Sequence, residues 1–206
     1  VNASGDGLKS TNTEDTSKGY VLIEGGTLNI TSTNDGIQAE TNVNITDGTI
    51  NIVSGGGSIN SSSKTDNMQN PWGQWGNSNS TSSSTTDTSS AKAVNNISID
   101  GGNFNIDSSD DSLHSNNSLI INGGTFEISS GDDGIHSDTN LEINGGDINI
   151  AKSYEGIEST SITINNGTIH LIASDDGLNA AGGNDSSSTN GRPGQNNFSS
   201  SSSGTI

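Results

Sequence analysis

Apolar and polar residues alternate along this chain at a period of two, and the alternation restarts after each of six short turns. Two positions before each turn lie Ile23, Ile45, Ile99, Ile121, Ile143 and Ile164, and four before it lie Val21, Val43, Ile97, Leu119, Leu141 and Ile162. After the turn come Leu28, Ile50, Phe104, Phe126, Ile148 and Ile169, and two residues further on Ile30, Ile52, Ile106, Ile128, Ile150 and Leu171. Strict alternation on both sides of a corner predicts two short strands, each with one buried face. A third strand is expected around Leu8, Ile37, Ile59, Leu113, Ile135, Ile157 and Leu178, with a small residue two positions later: Ser10, Ala39, Ser61, Ser115, Ser137, Ser159 and Ala180.

The turns themselves keep time. They are Gly25-Gly26, Asp47-Gly48, Gly101-Gly102, Gly123-Gly124, Gly145-Gly146 and Asn166-Gly167, with second glycines 22, 54, 22, 22 and 21 residues apart. The long interval is one period plus an insert. A fixed period of this length is the mark of a stacked repeat. Three strands per repeat, each pairing with its own copies at about 4.8 Å, give an all-β, single-stranded parallel β-helix with coils of about 22 residues. Parallel crossovers are overwhelmingly right-handed, so a right-handed helix is expected. An α-helical repeat would space its apolar residues by three and four instead.

One domain over residues 1–206 is predicted, with a Ser/Asn-rich loop insertion at 62–90 and a low-complexity segment at 182–204, both leaving the stack after the third strand. The chain opens at Val1 and stops at Gly204-Thr205-Ile206, which reads like the start of another strand. A fragment of a longer solenoid is therefore expected, with further coils or domains of a parent protein as neighbours.

Composition sharpens this picture. Only 25% of residues are hydrophobic and the formal charge is −18, values that would signal disorder if the aliphatics were not periodic. With 24 acidic residues against six basic ones, nucleic acid and anionic membrane surfaces are poor partners, and cations are natural ones. No apolar run is long enough for membrane insertion, and the absence of cysteine excludes disulfides and thiolate metal sites.

The acidic residues are themselves in register. One position before the Gly or Ser that opens the third strand stand Asp6, Asp35, Asp111, Asp133, Glu155 and Asp176, with Gly57 as the interruption; beside them lie Asn34, Asp110, Asp132 and Asp175. Carboxylates about 5 Å apart repel by about 3–4 kcal/mol at an effective dielectric near 20. Such a column calls for protonation, splaying into solvent or a counter-ion, and all-oxygen ligands select a hard one, Ca²⁺. The candidate metal ligands are Asp35, Asp110, Asp111, Asp132, Asp133, Glu155, Asp175 and Asp176. Plain Asp-Gly turn chemistry explains one aspartate per coil but not the pairs.

His114 and His136 follow the third-strand aliphatic one coil apart, either as a catalytic, metal or substrate-contacting pair or as part of a solvated strand face. Trp72 and Trp75 lie in the insertion, where aromatic rings pack on sugar rings or pin the loop. Outward files of Thr27, Thr49, Asn103, Thr125, Asp147 and Thr168, and of Asn29, Asn51, Asn105, Glu127, Asn149 and His170, can meet a polysaccharide chain or simply serve β-propensity and Asn stacking on an exposed sheet.

The units Asn34-Asp35-Gly36-Ile37, Gly131-Asp132-Asp133-Gly134-Ile135-His136 and Asp175-Asp176-Gly177-Leu178, joined by Leu-x-Ile-x-Gly-Gly strands, resemble the clostridial-type carbohydrate-binding β-helix family, pectate-lyase-like calcium-binding proteins of bacterial surfaces. The resemblance implies a right-handed β-helix that binds calcium and plant cell-wall polysaccharide of the cellulose or polygalacturonate type. It also implies an extracellular or cell-surface location and no established catalysis. It carries the acidic corner over by position, while Gly57 and Tyr154 depart from it. Lyases of this fold pair calcium with an Arg or Lys base, but Arg192 lies in the tail and Lys9, Lys92 and Lys152 on separate coils. The expected function is a non-catalytic, calcium-binding module for polysaccharide. A structural adhesin stalk stiffened by calcium is the alternative, and a polysaccharide lyase a lesser one.

Overall fold

The computed structural model describes residues 1–15, 17–61 and 89–180. Their strands fall into three columns that follow the turn-based repeat. The first column is Asn2–Ala3, Thr27–Ser32, Thr49–Ser54, Asn103–Ser108, Thr125–Ser130, Asp147–Ser153 and Thr168–Ala173, stacked in chain order. The second is Leu8–Ser10, Ile37–Ala39, Ala91–Ala93, Leu113–Ser115, Ile135–Ile143, Ile157–Ile164 and Leu178–Asn179. The third is Val21–Ile23, Asn42–Ile45, Asn96–Ile99 and Ser118–Ile121, continued by the second halves of Ile135–Ile143 and Ile157–Ile164. Each strand pairs in parallel with its copy one coil away, as Asn103–Ser108 does with Thr49–Ser54 and Thr125–Ser130. This is a parallel β-helix, and among the described residues the one helical element is the 3-10 turn Ser58–Asn60.

The interior is a set of side-chain files running along the axis. Ile50, Phe104, Phe126 and Ile148 are partnered in sequence, as are Ile52, Ile106, Ile128 and Ile150, and all are buried. Phe104 and Phe126 stack with ring centroids 4.6 Å apart and planes 5° from parallel. Each such side chain contributes roughly 1.5–3 kcal/mol, which is how so polar a chain sustains a core.

Glycine is required at one corner. Gly48, Gly102, Gly124 and Gly146 have φ between 106° and 127°, and their carbonyls accept the N–H of Asn103, Thr125, Asp147 and Thr168 from the next coil. A β-carbon there would be strained and, at Gly102, only 2.9 Å from the carbonyl below. A second corner is lined inside by serines: Ser108 Oγ lies 2.9 Å from Ser112 Oγ, and Ser130 Oγ donates to the carbonyls of Asp110 and Asp133. These hydroxyls satisfy buried backbone acceptors where the chain bends.

Two expectations need correction. Ile59 is not a third-strand core residue: it sits in the 3-10 turn with 86% of its surface exposed. Its place is taken by Ala91, paired with both Ile37 and Leu113. The insertion therefore leaves before the third strand of that coil rather than after it, and Ser89 and Ser90 already belong to the stack. The corner after the third strand is also absorbed in two coils, where Ile135–Ile143 and Ile157–Ile164 run straight through. The latter coil is one residue shorter there, which produces the register shift between Ser137 and Asn140.

Candidate functional site

Backbone bonds fix the acidic column. The carbonyls of Asp35, Ser89, Asp111, Asp133, Glu155 and Asp176 accept, in order, the N–H of Gly7, Gly36, Ser90, Ser112, Gly134 and Gly156. Ser89, not Gly57, is thus the interruption. Asp35, Asp111, Asp133 and Glu155 are buried, and three of them reach along the axis to the next corner. Asp35 Oδ1 accepts from Ser89 N at 2.9 Å, Asp111 Oδ1 from Asp133 N at 3.0 Å and Asp133 Oδ1 from Glu155 N at 3.3 Å. The column is in part a ladder of carboxylates capping backbone donors that the bend leaves without a partner carbonyl.

Burial pushes Asp35 up to about 6, against the pull of Lys92 and of the Ser89 N–H. Because its folded pKa lies above the unfolded value, its stabilising contribution is complete below about pH 4 and is lost as pH rises through 6. Asp35→Asn keeps an acceptor for Ser89 but cannot ionise. It is expected to be about 1–2 kcal/mol more stable than the parent near pH 8, the gap closing towards pH 4 in paired thermal melts. A gap that does not vary with pH would refute the assignment.

A second file runs outside the first, through Asp110, Asp132, Tyr154 and Asp175; Tyr154 N donates to Asp132 O at 2.7 Å and Asp175 N to Tyr154 O at 2.9 Å. Tyr154 interrupts the acids here, and burial together with a hydrogen bond to Asp175 holds its hydroxyl well above the usual tyrosine range. Asp175 and Asp176 are exposed on the last described coil. Carboxylate oxygens of Asp110, Asp111 and Asp132 lie within 4.8 Å of one another. Three convergent carboxylates, two of them only half-buried, fit a hard cation that completes its shell with water or ligand oxygens.

The side chain that follows each third-strand aliphatic faces this corner. That column is Lys9, Gln38, Lys92, His114, His136, Glu158 and Asn179, with Lys92 supplied by the strand that replaces the one expected around Ile59. Spacing of i,i+3 across the corner makes pairs: Lys9 Nζ to Asp6 at 2.5 Å, His114 Nδ1 to Asp111 Oδ2 at 2.8 Å and His136 Nδ1 to Asp133 Oδ2 at 3.7 Å. His136 Nδ1 also lies 3.3 Å from Asp111 Oδ2, and Asn179 donates to both oxygens of Glu155. Asp138, which sequence reasoning missed, faces Nε2 of His114 and His136 at 4.0 and 3.5 Å. Simple alternation from His136 along the strand would have found it.

Opposite charges separate the titrations. Burial acts to raise Asp111, but hydrogen bonds and charge from His114 and His136 outweigh it and hold the carboxyl far below the usual range. Asp133 goes the other way: burial, then the neighbouring Asp111, Asp132, Glu158 and Glu155, push it well up. Burial lowers His136, yet Asp111, Glu158 and Asp138 raise it to about 9.

The outer face of the first column is mostly polar, with Val53 and Ile172 as its exposed aliphatics. Asn51 Nδ2 donates to Asn29 at 2.8 Å and Asn149 Nδ2 to Glu127 at 2.6 Å, and His170 Nδ1 lies 3.1 Å from Asn149. At the glycine corner Asp100, Asn122, Asn144 and Asn165 form a continuous amide ladder with steps of 2.7–2.9 Å. These bonds pre-order side chains that would otherwise lose rotamer entropy on meeting a ligand. Trp72 and Trp75 lie outside the described residues.

A family model described as "Carbohydrate-binding domain-containing protein" matches residues 1–134 and 132–177. No curated protein and no solved structure matches the chain.

Proposed function

The chain belongs to the carbohydrate-binding domain-containing protein family, and from that membership we propose a non-catalytic module of an extracellular or cell-surface protein that holds polysaccharide along the outer face of its first strand column. The observation that carries this reading is the regular file of Thr49, Asn103 and Thr125 beside Asn51, Asn105 and Glu127, one set per coil. A linear glycan lying along the axis meets a repeating array of hydroxyl and amide groups. A chain of net charge −18 favours neutral glucan of the cellulose type on this face.

Calcium has a separate place. Asp110, Asp111 and Asp132 would hold Ca²⁺, which supplies charge neutralisation at the corner and a coordination position for a uronate carboxylate. This triad favours polygalacturonate as a second ligand class.

Pull-down on insoluble cellulose and on polygalacturonate gels, with calcium and with chelator, tests both. Cellulose retention is expected to survive chelation, and retention on polygalacturonate to be lost with chelator and restored by Ca²⁺. Asn51→Ala combined with Asn105→Ala should weaken cellulose retention at least about tenfold, the loss of two or three hydrogen bonds. Retention on neither glycan, together with a calcium-dependent rise in melting temperature, would leave a rigid stalk as the better account.

A further inference from the structure

We propose that His114, His136 and Asp111 form a binding site for a divalent first-row transition ion of the Zn²⁺ class, one that overlaps the all-oxygen calcium triad at Asp111. The two histidines are direct partners on adjacent parallel strands, with ring centroids 4.8 Å apart and planes tilted by 54°. Both Nδ1 atoms converge on one oxygen, Asp111 Oδ2, at 2.8 and 3.3 Å, and one ligand atom from each of the three residues lies within 4.8 Å of the other two. Tetrahedral ligands with bonds of about 2.0 Å stand roughly 3.3 Å apart, so the two His–Asp separations suit a shared ion.

The surroundings complete the pattern. A metal-bound imidazole characteristically gives its other N–H to a carboxylate, and here Asp138 Oδ1 faces Nε2 of both rings at 4.0 and 3.5 Å. The second oxygen of Asp111 is tied down by Asp133 N at 3.0 Å, which leaves Oδ2 aimed at the histidines. Asp133 Oδ2, 3.7 Å from His136 Nδ1, stands next in line as a fourth donor. Two imidazoles with one or two carboxylates suit Zn²⁺, Co²⁺ or Ni²⁺, whereas Ca²⁺ takes oxygen alone. Asp111 belongs to both this set and the calcium triad, so the two ions compete for it.

Titration of the full chain with Co²⁺ and Zn²⁺, free of calcium, tests the assignment. One equivalent of Co²⁺ should bind with a visible d–d band, be displaced by Zn²⁺, and move the imidazole ¹⁵N resonances of His114 and His136 but not that of the exposed His170. His114→Ala and His136→Ala should each weaken binding at least about tenfold, with His170→Ala unchanged. The proposal fails if Co²⁺ gives no band, if the ¹⁵N signals of the unaltered protein stay put, or if binding is indifferent to both substitutions. Because the resonances are read on the unaltered chain, a poorly folding variant cannot mask the answer. Glycan retention is not the readout, so loss of this site and loss of sugar binding are separately visible.

Discussion

Phe126→Ala is expected to lower the unfolding free energy by about 3–5 kcal/mol. The ring is fully buried and lies face to face with Phe104 at 4.6 Å, within the file that continues to Ile148. Truncation removes the transfer energy and leaves a void between three successive coils whose backbones are locked by parallel ladders. Those ladders prevent collapse of the void. In a solenoid the damage also falls on nearest-neighbour coupling, since each coil touches only the next. Urea unfolding should show a lower midpoint, and a broader transition if the stack splits at this level. Phe126→Leu should lose markedly less, and an alanine variant within about 1 kcal/mol of the parent would mean the stacked rings are not what couples these coils.

Asp111→Ala should be comparably severe, about 3–5 kcal/mol in metal-free buffer. One carboxylate, 6% exposed, holds His114, His136 and the N–H of Asp133. Its loss takes from His136 the hydrogen bond and charge that do most to raise it, and leaves the N–H of Asp133 buried without its acceptor. The neighbouring Asp133→Asn should behave in the opposite sense. Asp133 is 1% exposed and crowded by other carboxylates, so a neutral amide that still accepts from Glu155 N relieves repulsion. Chemical denaturation of the two variants near neutral pH should place them on either side of the parent. Equal losses for both would show that the column responds to missing side chains and not to charge.

Much of the architecture was legible because a solenoid writes each structural position several times. Period-two aliphatics and the positive-φ glycine turn recur six times, so chance resemblance at any one coil is outvoted. The exception was the coil carrying the insertion. Gly57-Ser58-Ile59 imitates the Asp-Gly-Ile pattern of a third strand, while the strand actually used has only Ala91 and Ala93 inside. Methyl groups this small carry no periodic signal. The chemistry of the corner was half legible. Rows of acids could be seen, but alternation fails at bends, and nothing in spacing alone told which file turns inward to cap N–H groups and which faces out. The i,i+3 relation that joins Asp6 to Lys9 and Asp111 to His114 was present in the sequence. Its meaning depends on how tightly the bend folds back, which only the backbone path supplies.

Ala91 pairs with Ile37 on one side and Leu113 on the other without a skipped partner, although residues 62–88 intervene in the chain. Height along the rod is therefore independent of how much polypeptide is spliced in at that bend. A foreign loop, an epitope or an entire folded cargo placed between Ser61 and Ser89 would be carried at a fixed level, a coil away from Asp111. The same rod can thus be refitted with new appendages while its winding is left alone.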